Sequence, residues 1–336
     1  MIPTPPAGSR SALWWRRAAI AAAIVGWALL PALASRSVVD VLVFTALYSI
    51  AGLGVAFLLG HCGIVSLAQS VFYGIGAYSS AYCSAKLGLP APAGLAIGIA
   101  ASIAIAWCVG WPMLRLSGYF LALATLALAI IGHVLFLEWE WLTGGTLGIG
   151  GVRKLELAGV ALNTPQRYYY FVWPIVVGLI VLQRNLLRAR NGFAMRAMRD
   201  APQAASALGI DTHAVKVKVF LLSAFVGSLA GSLFAHYVSF VSVDSFGVDR
   251  AISFLLLAVI GGARTVWGVV LGALFVVALP NALSRFGDAH ALLFAVALVL
   301  AVMFVPQGFG GAAESAVRRL VGRVAPSTML PRVPGE

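Results

Sequence analysis

Uninterrupted apolar runs constrain this chain more than any other feature. They lie at about 18–34, 40–60, 62–84, 91–113, 117–137, 168–184, 217–238, 251–263, 266–284 and 289–305. Most reach the roughly 20 residues that a helix rising 1.5 Å per residue needs to cross about 30 Å of hydrocarbon. Without water in that layer, backbone N–H and C=O groups must pair among themselves, so only helices and closed barrels span it. The runs are continuous and show no alternation with a period of two, which excludes a barrel. The expected fold class is all-α: a polytopic transmembrane helical bundle of about 8–10 spans. The eighth run is short, and Gly261, Gly262, Ala263 and Arg264 interrupt 251–284. That region reads as two short helices, a re-entrant hairpin or one broken helix.

Charge then orients the bundle. Only 10% of residues are charged and mean hydropathy is +0.96, against about a quarter charged in soluble domains. The net charge of +12 is no nucleic-acid signal, because the basic residues gather outside the apolar runs. Arg10, Arg16 and Arg17 precede the first run. Arg184, Arg188, Arg190, Arg196, Arg199, Lys216 and Lys218 surround 184–218, and Arg318, Arg319, Arg323 and Arg332 follow the last run. The excess of Lys and Arg places all three segments in the cytoplasm. An even number of spans separates each from the next, so the assignment is self-consistent. Segments 138–167 and 239–250, whose few basic residues are offset by acidic ones, are expected outside. Trp139, Trp141 and Tyr168 to Tyr170 border the first of them, as interfacial anchors do.

The start of the chain resembles a signal peptide, with Ala32, Leu33 and Ala34 at a cleavage-like position. The expectation is a retained first helix, giving a cytoplasmic tail at 1–17, a permease domain at 18–305 and a cytoplasmic tail at 306–336. Cys62, Cys83 and Cys108 lie within apolar runs without metal-type spacing and read as packing residues. The five histidines have no spacing that builds a ligand set. The chain contains no phosphate-binding G-x-x-x-x-G-K-[ST] loop, no H-E-x-x-H and no G-x-S-x-G, so no cofactor is expected in it.

Thirty-six glycines carry more information. Gly94 with Gly98, Gly227 with Gly231 and Gly268 with Gly272 form small-xxx-small faces for close helix packing, within the chain or against a second subunit. The stretch GHCGIVSLAQSVFYGIGAY at 60–78 sets Ser66, Gln69 and Ser70 inside an apolar run. There they either line a path for a polar solute or bond across helices. Arg264 falls near the cytoplasmic face, where a long side chain reaches the headgroups at little cost.

The segment 185–216 is the exception to the oil. Phe193, Met195, Met198, Ala205, Leu208 and Ile210 give a short cytoplasmic helix an apolar side, and Pro202 and Gly209 mark breaks. Met195, Met198 and Leu208 read as groups for docking on a soluble partner, or for lying on the membrane surface.

QAASALG at 203–209 resembles the E-A-A-x-x-x-G pattern of ABC importer permeases, with Gln203 in place of the family glutamate. GHCGIVSLAQSVFYGIGAY (60–78), SGYFLALATLALAII (117–131), TGGTLGIGGV (143–152), GSLAGSLFAHYVSFVSVDSFG (227–247) and LAVIGGARTVWGVVLGA (257–273) narrow the resemblance to branched-chain amino acid permeases of the LivM type. Two positions depart from that pattern: Leu147, where an acidic or amide residue is usual, and Arg264, where glycine is. The resemblance implies a permease subunit of an ATP-driven importer in the bacterial inner membrane, without catalysis of its own. It further implies a second, LivH-like permease, two cytoplasmic ATPases that hold ATP and Mg, and an external solute-binding protein. Its ATPase-coupling helix would carry Arg196, Arg199, Asp200, Gln203, Ala204, Ala205, Leu208 and Gly209. Permeases for urea or short-chain amides share the resemblance. A self-sufficient secondary transporter is the reading from another class, against which stands the lack of a clear charged set inside the spans.

Overall fold

A computed structural model describes residues 27, 30–31, 33–157, 160–304 and 308–322. The expected first span at 18–34 lies almost wholly outside the described residues, as does the end of the chain from 323. The described helices are α1 (Arg36–Cys62), α2 (Gln69–Ala85), α3 (Ala91–Met113), α4 (Gly118–Glu138), α5 (Glu140–Thr143), α6 (Pro165–Arg188), α7 (Arg190–Asp200), α8 (Pro202–Ala207), α9 (Thr212–Val238), α10 (Val248–Gly261), α11 (Gly268–Leu283), α12 (His290–Phe304) and α13 (Gly308–Gly322). Five of them, α1, α3, α4, α6 and α9, are long and apolar enough to cross a membrane; α11 and α12 contain shorter apolar stretches.

Local sequence sets the ends. Pro165 opens α6, where its missing N–H removes no bond, and the Thr164 hydroxyl accepts from the Arg167 amide at 3.4 Å. Asp211 caps α9 by accepting from the Ala214 amide at 2.9 Å, the usual role of a short acidic side chain there.

At the centre α9 packs along α1 and α2, with α3, α6, α10 and α11 outside them. All three glycine pairs serve packing within this chain. Gly94 and Gly98 meet Ser80, Gly76 and Ser79 of α2, Gly227 and Gly231 meet Gln69, Phe72 and the Tyr73 carbonyl, and Gly272 meets the Leu257 carbonyl. A Cβ at Gly231 or Gly272 would overlap backbone, so each backbone approaches where the other has no side chain.

Polar side chains tie the same centre. Tyr168 Oη donates to the Leu233 carbonyl at 2.6 Å, Gln183 Nε2 to the Leu53 carbonyl at 3.0 Å and Ser232 Oγ to the Gly76 carbonyl at 3.0 Å.

Two loops expected on one side of the membrane are pinned together on one face. Strand β1 (Ile149–Gly150) pairs antiparallel with β4 (Phe240–Val241), while β2 (Glu156–Leu157) and β3 (Val160–Ala161) form a separate hairpin between them in sequence. Lys154 Nζ donates to the Tyr237 carbonyl at 2.9 Å, and the Arg153 amide to Ser84 Oγ at 3.1 Å. Asp40, near the start of α1, accepts from the Tyr237 hydroxyl on this same loop face.

The region 251–284 resolves into two short antiparallel helices, α10 with 14 residues and α11 with 16. Their turn lies on the opposite, basic face, where Gly60 of α1 abuts Ala263. Gly308 and Gly310 of α13 press against Gly261, Gly262 and Gly268 there.

One expected span is corrected. The run at 62–84 is not a continuous helix: α1 continues to Cys62, residues 63–68 are not helical, and α2 begins only at Gln69.

Candidate functional site

The basic face carries the candidate coupling segment. Pro202 disfavours helical backbone in the residue before it, and Ala201 is extended (φ −151°, ψ 80°), separating α7 from α8. Gly209, at φ +81°, ends α8, with the Ile210 amide returning to the Ala205 carbonyl at 3.0 Å. This left-handed cap favours glycine because a Cβ would crowd the carbonyl.

The two faces of this segment differ from the sequence expectation. Met195, Met198 and Ala205 are buried in the chain's own core, so they are not docking groups. Periodicity showed that the helix had an apolar side but not that this side was already occupied. Phe193 (66% exposed) and Leu208 (82%) remain on the surface, with Arg196, Asp200, Gln203, Ala204 and Gly209 also exposed. The Arg196 guanidinium stacks 4.8 Å from the centre of the Phe193 ring, a cation–π contact that fixes the ring on the surface.

Arg199 is half-buried and points the other way. Its Nη1 donates to the Gly60 carbonyl at 2.6 Å, and its Cγ lies beside Gly63, which turns the chain out of α1 at φ +69°. The segment is thus bonded directly to the end of the most buried long helix.

A cleft of about 700 Å³ opens beside this junction, bordered by Arg199, Arg264, Thr265 and Glu314. Arg264 is exposed on it, consistent with a charge near the membrane surface.

Ser66, Gln69 and Ser70 are all buried. Gln69 Nε2 donates to the Ala51 carbonyl at 2.9 Å and to the Ser223 carbonyl at 3.4 Å, and Oε1 accepts from Ser223 Oγ at 2.7 Å. Its amide fits a slot between Gly54 and Gly227, where a Cβ would stand 2.7 Å and 2.9 Å from Nε2. For Gln69 this geometry is that of a tie between α1, α2 and α9. The helix break before Gln69 was missed from sequence; Gly63 after a long apolar run was the only signal for it.

On the loop face, four glycines with positive φ (Gly144, Gly145, Gly148 and Gly151) fold the loop after α5, and Leu147 projects 84% exposed. Thr143 Oγ1 fastens its base by donating to the Phe136 carbonyl at 2.7 Å and accepting from the Gly145 amide at 3.1 Å.

Comparison with known proteins adds to this geometry. Residues 37–305 match the family described as "Branched-chain amino acid transport system / permease component". The chain is similar to the high-affinity branched-chain amino acid transport system permease protein LivM of Escherichia coli (strain K12), 30% identical over 308 residues, covering 84% of this chain and 72% of that protein. It is 25% identical to the high-affinity branched-chain amino acid transport system permease protein LivH of the same strain, over 80% of this chain and 92% of LivH. The autoinducer 2 import system permease protein LsrC of Escherichia coli (strain K12 / DH10B) is 24% identical over 78% of this chain and 77% of its own length. No solved structure matches the chain.

Proposed function

The chain belongs to the family of permease components of branched-chain amino acid transport systems, and on that premise we propose that it is one permease of an ATP-driven importer for branched-chain or related hydrophobic amino acids. It works beside a second permease, two cytoplasmic ATPases that hold ATP and Mg, and an external solute-binding protein. It catalyses no reaction itself. The basic face is the cytoplasmic face of the bacterial inner membrane, with both termini on that side, by the excess of Lys and Arg. Residues 18–305 form the permease domain, with the coupling segment at 185–216, between tails at 1–17 and 306–336.

The observation that carries this reading is the two-sided segment α7–α8. One side, with Met195, Met198 and Ala205, is packed into the bundle; the other offers Phe193, Arg196, Asp200, Gln203, Ala204 and Leu208. Gly209 terminates it, and Arg199 bonds it to Gly60. An ATPase that grips the outer side moves the end of α1 through one short hydrogen bond. Ser66, Gln69 and Ser70 belong to the wall of the translocation path, where Gln69 holds three helices in register as the wall moves.

Leu208→Glu tests the coupling. The side chain is exposed, so the substituted chain is expected to fold and extract from membranes as wild type does, but to lose the co-purifying ATPases. Retention of the ATPases by the folded variant overturns this coupling surface. The substrate is tested with the reconstituted complex: ATP-dependent uptake of leucine is expected, and uptake of urea without leucine assigns the chain to amide transport.

A further inference from the structure

The segment between α1 and α2 places unpaired backbone at membrane depth. Gly63 turns the chain back toward the bundle centre, and the segment climbs until Gln69 lies beside Ala51. Ala51 is about 16 Å of helix back from Cys62, so residues 63–68 run through the half of the membrane next to the basic face.

Ile64 and Ser66 face inward and are buried, while Gly63 and Val65 (38%) are exposed. Some amides of the segment are held internally: the Leu67 N–H donates to Thr125 Oγ1 of α4 at 3.1 Å, that hydroxyl donates to the Ala122 carbonyl at 2.9 Å, and the Ala68 N–H donates to Ser66 Oγ at 3.4 Å. The Ile64 N–H returns to the Leu58 carbonyl at 3.1 Å. Among the described residues, the carbonyls of Gly63, Ile64, Val65 and Ser66 accept no hydrogen bond, and the amides of Val65 and Ser66 donate none.

Hydrocarbon does not tolerate such an edge, because each unpaired group gives up its bond to water and gains nothing in return. A neighbouring transmembrane helix cannot satisfy it either, since its own backbone groups are engaged within the helix. Water, or a polar solute replacing water, remains.

We propose that the outer edge of residues 63–66 lines the water-filled translocation path, its carbonyls meeting the ammonium and its amides the carboxylate of a passing amino acid. The inference rests on the importer reading above and deepens it. It also links the path to the coupling segment: Arg199, bonded to Gly60 and in contact with Gly63, sits at the lower end of this edge. Movement of α7 therefore reshapes the edge at its hinge.

The test uses cysteine accessibility in the assembled, reconstituted transporter, with mass spectrometry assigning each label to its position. Val65→Cys and Leu67→Cys report on the edge; Ile64→Cys is the buried control and Ile97→Cys, exposed on α3, the lipid-facing one. A charged, membrane-impermeant methanethiosulfonate is expected to label position 65 at least tenfold faster than positions 64 and 97, and saturating leucine is expected to slow it several-fold. If position 65 resists that reagent and reacts only with a lipid-soluble maleimide, as position 97 does, the edge faces lipid and the proposal fails. If neither reagent reaches it in the complex while both reach it in the isolated chain, the second permease covers it and the proposal fails as well. Leu67→Cys gives the same reading should Val65→Cys not assemble. ATP-dependent leucine uptake by the wild-type complex is measured alongside. Its absence overturns the importer reading, whereas uptake with an unlabelled edge overturns only the path assignment.

Discussion

Helices α1 and α4 both cross the membrane, yet they occupy opposite environments. In the most apolar stretch of α1, 78% of residues are buried; in that of α4 the share is 28%, although α4 has the higher mean hydropathy. Apolarity therefore does not decide which helix takes the centre. Lipid is as apolar as leucine, so burying a leucine against protein gains little there. What distinguishes α1 and its partner α9 is the close approach that glycine permits and the polar groups that need partners: Gly54 and Gly227 around the Gln69 amide, Gly231 on the Tyr73 carbonyl, and Ser223 on Gln69.

The sharpest way to break that contrast is Gly231→Val. A side chain there overlaps the Tyr73 backbone, and the expected cost is about 4 kcal/mol or more, read as loss of monodisperse protein after detergent extraction. Gly178→Ala in peripheral α6, which meets open space, is the control and is expected to extract normally. A folded Gly231→Val protein would mean that the centre is looser than its backbone contacts imply.

Gln69→Leu asks how much polar ties contribute beside small residues. Loss of the bonds to Ala51 and Ser223 is expected to cost about 1–3 kcal/mol and to lower the Tm of the purified chain by several degrees. An unchanged Tm would leave the glycines as the sole determinant of the centre. At the periphery, Ile130→Ala on α4, 46% exposed, is expected to shift stability by less than about 0.5 kcal/mol. A larger shift in the assembled complex than in the isolated chain would identify that face as one covered by the second permease.

Much of this architecture was legible in sequence because hydrocarbon imposes a length. The runs at 91–113, 117–137, 168–184 and 217–238 became helices at nearly those bounds, and the shared face of the two loops followed from charge. Where a helix must break inside the membrane was less legible. Residues 62–84 read as one apolar run because composition does not register that Gly63 adopts φ +69°, and glycines elsewhere in the chain serve packing instead. The coupling segment was found by its interruption of the apolar pattern, but Met195 and Met198 were assigned outward. A short amphipathic helix announces an apolar side, and only the assembled bundle decides whether that side meets its own chain or another.

The Gln69 tie also has a history in time. Its partner Ala51 lies 18 residues earlier in the chain, whereas Ser223 lies 154 residues later. At a synthesis rate of about 5–20 residues per second, roughly 8–30 s separate Gln69 from Ser223. During that interval α2 is held to α1 through the Gln69 amide and to α3 through the Gly94 and Gly98 face, and the Gln69 side-chain carbonyl waits for the α9 hydroxyl. Ser232, whose bond reaches back 156 residues to Gly76, arrives in the same step. Insertion of α9 is therefore the event that closes the bundle, and a chain arrested before it leaves α2 with its amide half satisfied in the membrane.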